Sequence, residues 1–301
     1  MFLTKLLADL PDKPRFNFFT FEDVNPVSGR VKQRTVAAPN IAMKLLQRGF
    51  IPHLRSSANR EVRERILKYA TSSNPGDSPL QNVQKHRRSR YFYLIDFSNA
   101  YRSVDVGKLA SVLLQLNNFK AITTDQLTTF LATYFFDERW GLVPGGPASQ
   151  DLFNLYAGAL VDLPIGSIVE EQKVVFTRYI DDLTFSSMEP IPDQVRRDVR
   201  DPILRTGFQI NHRKCERIDN RKTTVIVTGI GIANGGRLFI PRPYVRKLRG
   251  LIHRARTKGG VDIRVIAGMM QILHQVAQTQ RMNILEQRVF REFHALSPPK
   301  R

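Results

Sequence analysis

Two adjacent aspartates, Asp181 and Asp182, are the residues in this sequence best placed to do chemistry. Val174, Val175, Phe176, Tyr179 and Ile180 read as one strand and Leu183 to Ser186 as its partner, leaving Asp181-Asp182 for the tip of a tight hairpin. A hairpin holds a carboxylate at a fixed point, which suits metal-dependent phosphoryl transfer. There, hard cations take oxygens from a few carboxylates and the rest from substrate phosphate and water. Asp-Asp is equally an ordinary polar turn, so the rest of the chain must supply partners. Asp96 is one. Tyr91 to Ile95 is apolar throughout, as a buried central strand is, and it ends in Asp96, where a buried carboxylate is costly unless paired or metal-bound. Asp96 lies 85 residues before Asp181, a spacing that suits neighbouring strands bringing their ends together. Lys214, just after a short strand at Ile210, is placed to donate a proton or bind phosphate.

The elements that must position these groups follow from periodicity and punctuation. A helix is expected at 2–10, then loop, a turn at 25–29 and a strand from Val31 to Ala37 carrying Lys32 and Arg34. Helices are expected over Ala42–Gly49 and Glu61–Tyr69, then a loop at 71–81 and a basic run, Lys85 to Arg90, with His86 inside it. Asp105 should cap a helix to Leu116 and Thr124 one to Phe136. A Gly/Pro-rich turn at 141–149 opens a helix from Gln150 to Val161, and another spans Asp193–Thr206. Val225 to Ile232 is β-rich, and Asn234-Gly235-Gly236 turns into a strand at Leu238–Ile240. Three helices close the chain.

Composition narrows the function. The chain has 301 residues, 42% apolar and 24% charged, with a net charge of +19. Residues 241–301 carry 13 Lys or Arg against 3 Asp or Glu, a net of +10. Such an excess serves a polyanion, nucleic acid first and a membrane surface second. The single cysteine, Cys215, excludes an internal disulfide and a Cys-rich zinc site. With no apolar run of eighteen residues and no signal-peptide core, a cytoplasmic protein without a membrane span is expected.

These segments, in this order, resemble reverse transcriptases, most closely the retron group of bacteria. Asp96-Phe97-Ser98-Asn99-Ala100-Tyr101 resembles the first catalytic motif. Gly145-Gly146-Pro147-Ala148-Ser149 with Asn154 resembles the motif under the template–primer pair, and Tyr179-Ile180-Asp181-Asp182 the Tyr-x-Asp-Asp hairpin. Gly207 to Asn211 with Lys214 resembles the next motif. Asn82-Val83-Gln84-Lys85-His86 and Val227-Thr228-Gly229 are similar to the two retron elements. The chain departs from the pattern at Pro144, where a nucleotide-contacting Gln is usual, and at Gln150, Ile180 and Val83. A related defence-associated reverse transcriptase is the second home.

The resemblance implies an α+β right-hand polymerase. Its fingers would lie at 1–90, palm at 91–106, fingers and palm helices at 107–140, palm again at 141–240 and a basic helical thumb at 241–301. It implies RNA-directed DNA synthesis with Asp96, Asp181 and Asp182 on two Mg2+ ions, Mn2+ being an alternative, and Lys214 as general acid. Lys32, Arg34, Phe97, Tyr101 and Gly145 would bind the dNTP, Tyr101 as the steric gate against ribose. Asn82, His86, Arg87, Arg88, Arg242, Arg246, Lys247, Arg249 and Arg254 would hold RNA or DNA, with His86 alternatively structural. A structured noncoding RNA as template and primer, an effector protein, an oligomer and a role in phage defence belong to the same implication. Two other functions fit the sequence: weakly templated synthesis, suggested by Pro144, and an inactive RNA-binding scaffold.

Overall fold

A computed structural model describes residues 16–24, 31–72, 74, 76–119, 121–257 and 261–296. The expected helix at 2–10 and turn at 25–29 lie outside the described residues. A two-stranded ribbon comes first, β1 (Phe16–Val24) against β2 (Val31–Pro39). β1 was expected as loop; Phe18, Phe19 and Phe21 are largely exposed, so no buried face marks it in the sequence. Helices α1 (Ile41–Leu54), α2 (Arg60–Ile66) and α3 (Pro79–His86) follow. The third takes in the end of the expected loop and the start of the basic run. Ser78 caps it by accepting from the Gln81 N–H, and Pro79 opens its first turn, where a missing N–H costs nothing.

The central sheet is antiparallel. β3 (Tyr91–Ser98) lies between β7 (Asp182–Ser187) on one side and β9 (Glu216–Asp219) and β8 (Gln209–Ile210) on the other, and β6 (Val175–Tyr179) flanks β7. β3 does not stop at Asp96, because Phe97 and Ser98 pair with Ile210 and Gln209. Its alternation explains the continuous apolar reading. Tyr93, Ile95 and Phe97 face a large core with α1, α2, α4 (Val106–Leu113), α5 (Thr124–Phe135) and the long helix α6 (Ser149–Glu170). Phe92 faces a second core.

α6 was expected to end at Val161. It continues to Glu170 through a π-helical segment, Gly158–Asp162. Gly158 is required there, since a Cβ would come within 2.5 Å of the Ile66 carbonyl oxygen. The helix is long and apolar enough to cross a membrane, yet 67% of its most apolar window is buried in the protein, as a core helix is. The short pair β4 (Phe136–Asp137) and β5 (Gly141–Leu142) precedes it, and α7 (Asp193–Asp198) and α8 (Arg200–Arg205) divide the expected helix at 193–206.

The second core joins α3 to the meander β10 (Val225–Val227), β11 (Ile230–Ile232) and β12 (Leu238–Phe239), and to α9 (Arg242–Thr257), α10 (Ile263–Thr279) and α11 (Ile284–His294). The expected boundary at 241 therefore runs through one hydrophobic cluster. Together, antiparallel sheet, flanking helices and C-terminal helical layer form the right-hand polymerase fold.

Candidate active site

The hairpin turns one residue earlier than the sequence suggested. Tyr179 pairs with Asp182, so Ile180-Asp181 is the two-residue tip and Asp182 the first residue of β7. Ile180 has φ +56°, a left-handed backbone that is uncommon for a β-branched side chain. Its surroundings hold it there. The Ile180 N–H donates to Ser72 Oγ at 3.1 Å, and the Ile180 carbonyl accepts from Arg178 Nη1 at 2.8 Å.

Arg178 is the pin of this arrangement. It is fully buried, donates to both oxygens of the equally buried Asp162 at 2.8 and 2.9 Å, and reaches Asn154 Oδ1 at 2.9 Å. Burial pushes the Asp162 carboxyl up and the Arg178 charge opposes it. Gln150 Nε2 and Asn154 Nδ2 both donate to the Ser72 carbonyl, at 2.6 and 3.3 Å. Gln150, a departure from the family pattern, thus ties α6 to the residue that holds the tip. Arg178 and Asp162 escaped notice as functional positions, although a charge amid an apolar strand and another amid an apolar helix were the available signal.

Across the sheet Asp96 sits opposite Asp182, and the Phe97 N–H donates to the Asp181 carbonyl at 3.1 Å. Asn211 donates to Asp96 Oδ2 at 3.2 Å, and Lys214 Nζ pairs with Asp96 Oδ1. The register thus brings Asp96, Asp182 and Lys214 together, with Asp181 adjacent on the tip. Burial, then the charges of Asp181 and Asp96, push the Asp182 carboxyl up to about 7. Burial lowers the Lys214 ammonium, but the Asp96 hydrogen bond and the three carboxylate charges outweigh it, so the net direction is up. Asp96, Asp182 and Lys214 line a cleft of about 300 Å³ between this sheet and the Val227-Thr228 segment.

This donor set fits a hard divalent cation. It is all oxygen, and it crowds negative charge around one ammonium, to the point of raising Asp182. Among the described residues no three His, Cys, Asp or Glu side chains close into a complete cluster. Mg2+ takes one or two carboxylates and completes its shell with water and substrate phosphate, so Asp96 and Asp182, with Asp181 beside them, are the residues that would hold it.

Tyr101 stacks on Phe153 with centroids 4.8 Å apart. Burial, then the Asp181 charge, push its hydroxyl up to about 12, so it stays a neutral phenol beside the carboxylates. Gly145 is exposed at φ +96°, and a Cβ there would meet the Ala37 carbonyl at 3.1 Å. The Ala37 N–H donates to Pro144 O at 3.3 Å, so this turn docks the β1–β2 ribbon onto the segment before α6. Lys32 and Arg34 lie in β2 opposite Asp23 and Phe21; their side chains are outside the described residues.

Three expected contacts are corrected. Phe97 is 2% exposed and stacks on Phe208 at 4.5 Å, so its side chain is core and only its backbone borders the site. Asn82 and His86 are fully buried and spent on internal hydrogen bonds, which leaves neither for RNA or DNA. His86 bridges Ser186 Oγ and Thr177 Oγ1, both at 2.7 Å, and Thr177 and Thr71 donate to Asn82 Oδ1 at 2.6 and 2.9 Å. Burial, then Lys85, lower His86 to about 3, so it is a neutral peg joining α3 to the back of the hairpin. Val83 fills the second core beside them. Of the basic residues, Arg88, Arg242, Arg246, Lys247 and Arg254 are exposed. Arg87 donates to the Gly236 carbonyl at 3.2 Å, and Arg249 pairs with Glu292 at 3.4 Å.

Residues 25–232 match the family described as "Reverse transcriptase (RNA-dependent DNA polymerase)". The chain belongs to the reverse transcriptases. It is 25% identical over 259 residues to the retron Ec83 reverse transcriptase of Escherichia coli, covering 81% of this chain and 78% of that one. To the retron Ec86 reverse transcriptase of the same organism it is 24% identical over 268 residues, covering 87% and 77%. These relatives place this reverse transcriptase with the retron type. In fold it is similar to a Candida albicans telomerase solved with a fragment of telomeric RNA, at TM-score 0.55 and 12% identity. That match covers 98% of this chain but only 58% of the telomerase.

Proposed function

We propose that this RNA-directed DNA polymerase copies a structured noncoding RNA, serving as both template and primer, into DNA within a retron system of phage defence that includes an effector protein. The observation that carries the reading is Asp96 facing Asp182 across adjacent antiparallel strands, with Asp181 beside them and Lys214 on Asp96. Asp96, Asp181 and Asp182 would hold two Mg2+ ions, with Mn2+ also suited to these oxygens. Bound there, the ions would lower the pKa of the primer hydroxyl and neutralise the triphosphate.

The chain's own residues do the rest. Arg178, Ser72 and the Phe97 N–H fix the hairpin tip, so the carboxylates are in place before substrate arrives. Tyr101, stacked and uncharged, would be the group that excludes a ribose 2′-hydroxyl. Lys214, a cation on Asp96, is the group that would protonate departing pyrophosphate. Lys32 and Arg34 of the fingers would grip the triphosphate, and the outer stripe of α9 would track the duplex by its phosphates. The fingers, palm and thumb divisions expected from the sequence belong to this reading.

The test is to purify the protein from its host and sequence the RNA and DNA bound to it. One structured RNA joined to a short complementary DNA supports the reading. DNA without a matching RNA would replace it with weakly templated synthesis, and RNA that yields no DNA with added dNTP and Mg2+ would replace it with a scaffold.

A further inference from the structure

Two turns near the carboxylates each hold a β-branched residue in a left-handed backbone. Ile180 at the hairpin tip has φ +56°, and Thr228 has φ +47°. Val227 pairs with Ile230, so Thr228-Gly229 is a two-residue turn between β10 and β11, with Gly229 at φ +84°. A turn of this kind favours Asn-Gly, and a branched side chain occupies its first position only where surrounding contacts hold it there. Thr228 lines the same cleft of about 300 Å³ as Asp96, Asp182 and Lys214. The cleft therefore lies between the strained meander turn and β7, the strand that leaves the strained hairpin tip.

Neighbouring residues of one stretch of chain hold both turns. Ser72 Oγ accepts from the Ile180 N–H at 3.1 Å, and the Thr71 N–H donates to the Arg178 carbonyl at 2.9 Å. At the start of α3 the Pro79 carbonyl accepts from Thr228 Oγ1 at 3.3 Å, and Asn82 Nδ2 donates to the same hydroxyl at 3.5 Å. Asn82 Oδ1 closes the arrangement by accepting from Thr71 at 2.9 Å and from Thr177 of β6 at 2.6 Å. Thr71, Asn82 and Thr177 are all buried. Asn suits this junction because its oxygen takes two hydroxyls while its nitrogen gives to a third. One side chain thereby touches the catalytic hairpin at Thr177 and the meander turn at Thr228. Aspartate there would lose the donor, and alanine every contact.

We propose that Asn82 is a positioning residue for DNA synthesis: by clamping the Thr228 turn to the back of the catalytic hairpin, it sets where the primer's 3′ end sits relative to Asp96 and Asp182. The inference rests on the reading of these carboxylates as the site of nucleotidyl transfer. Thr228 acts through its hydroxyl, which fixes the turn, and not through a contact to substrate. Misplacing reacting atoms by about 1 Å costs on the order of a hundredfold in rate, and the Asn82 amide joins the two elements whose separation decides that distance.

The experiment measures Mg2+-dependent extension of oligo(dT) on poly(rA) by wild type, T228G, T228S, T228V, N82A and N82A/T228V, with backbone-amide hydrogen exchange followed on the same proteins. Glycine relieves the left-handed backbone but removes the hydroxyl, so T228G separates the shape of the turn from the clamp. T228G and T228V should lower kcat about 10- to 100-fold, with KM for dTTP and primer–template affinity within about twofold. T228S, which keeps the hydroxyl, should hold kcat within about threefold. N82A/T228V should be no slower than N82A, because both changes cut one connection. Exchange should quicken in N82A at both turns, and in T228G at positions 228 and 229 alone. Wild-type kcat in T228G would overturn the proposal, as would a loss confined to KM or multiplying losses in the double variant. T228G and T228V leave the contacts of Asn82 with the hairpin in place, so they decide the matter even if N82A does not fold. Synthesis that survives in D96N would strike the reading of the carboxylates instead. The exchange pattern would still read the clamp, and unchanged exchange at both turns in N82A would refute it.

Discussion

Replacing Asp162 by Asn should destabilise this protein more than almost any other single polar change. Arg178 and Asp162 are both wholly buried and joined by hydrogen bonds of 2.8 and 2.9 Å. Removing one charge leaves the other uncompensated in a low-dielectric interior, a loss of about 3–5 kcal/mol. At roughly 2.1 cal/mol/K per residue, that corresponds to a fall in Tm of roughly 5–8 °C for a chain of this length. D162N and R178M should each show this loss in thermal and urea unfolding. The paired apolar replacement D162L/R178M should lose less than the two single changes together, because it leaves no orphaned charge. R178M should also lower kcat with little change in KM, since Arg178 Nη1 holds the Ile180 carbonyl at the hairpin tip. A D162N protein within about 1 kcal/mol of wild type, or strictly additive losses in the double variant, would refute the reasoning.

Three further outcomes are expected. Asp182 stands at about 7 in the fold against an ordinary 3.8, so the folded state holds the proton more tightly than the unfolded one. Metal-free stability from this group is therefore lost as pH rises from about 4 to 7, by at most about 1.4 kcal/mol per unit; D182N should flatten that slope in urea titrations, and apparent Mg2+ affinity should weaken below pH 7. His86, lowered to about 3 from 6.5, contributes stability that is present above pH 6.5 and lost as pH falls below it; its ring resonances should show no titration between pH 5 and 8, and a midpoint near 6.5 would contradict the buried peg. Y101A should raise ribonucleotide incorporation relative to deoxyribonucleotide by about 10- to 200-fold, the range for one lost steric contact in a pocket, and an unchanged ratio would move the gate elsewhere.

Much of the site was legible in the sequence because its signals are local. An apolar run reaching Asp96, and two apolar runs flanking Asp181-Asp182, bring the carboxylates forward as candidates without knowledge of the fold, although β3 runs on to Ser98 and Asp182 lies within β7. The C-terminal helices were legible through their 3.6-residue periodicity, with Tyr244, Val245, Leu248 and Leu251 buried on one face of α9. What was not legible depends on long-range pairing. Asn82 read as an RNA contact from its motif and His86 as part of a basic run, yet α3 is laid flat against the sheet, and their partners on the hairpin strands lie 91 to 100 residues away. Arg178 and Asp162 find each other only because a π-helical segment carries α6 past Val161. The start of α3 was readable, from Ser78 followed by Pro79, and was outweighed by the Asn, Pro and Gly just before it. The tip was misplaced by one residue because Ile is an improbable occupant of a left-handed turn.

The most direct measurement is primer extension on a defined RNA template by wild type, D96N, D181N and D182N, with RNA binding measured on the same preparations. Wild type should convert dNTPs to DNA only with a divalent cation present. Each variant should lose at least about a hundredfold in rate, as loss of a transition-state charge contact does, while keeping its RNA affinity within about threefold. DNA synthesis that survives in D96N or D182N would contradict the assignment of the metal-binding carboxylates, and with it the account of how this fold does its chemistry.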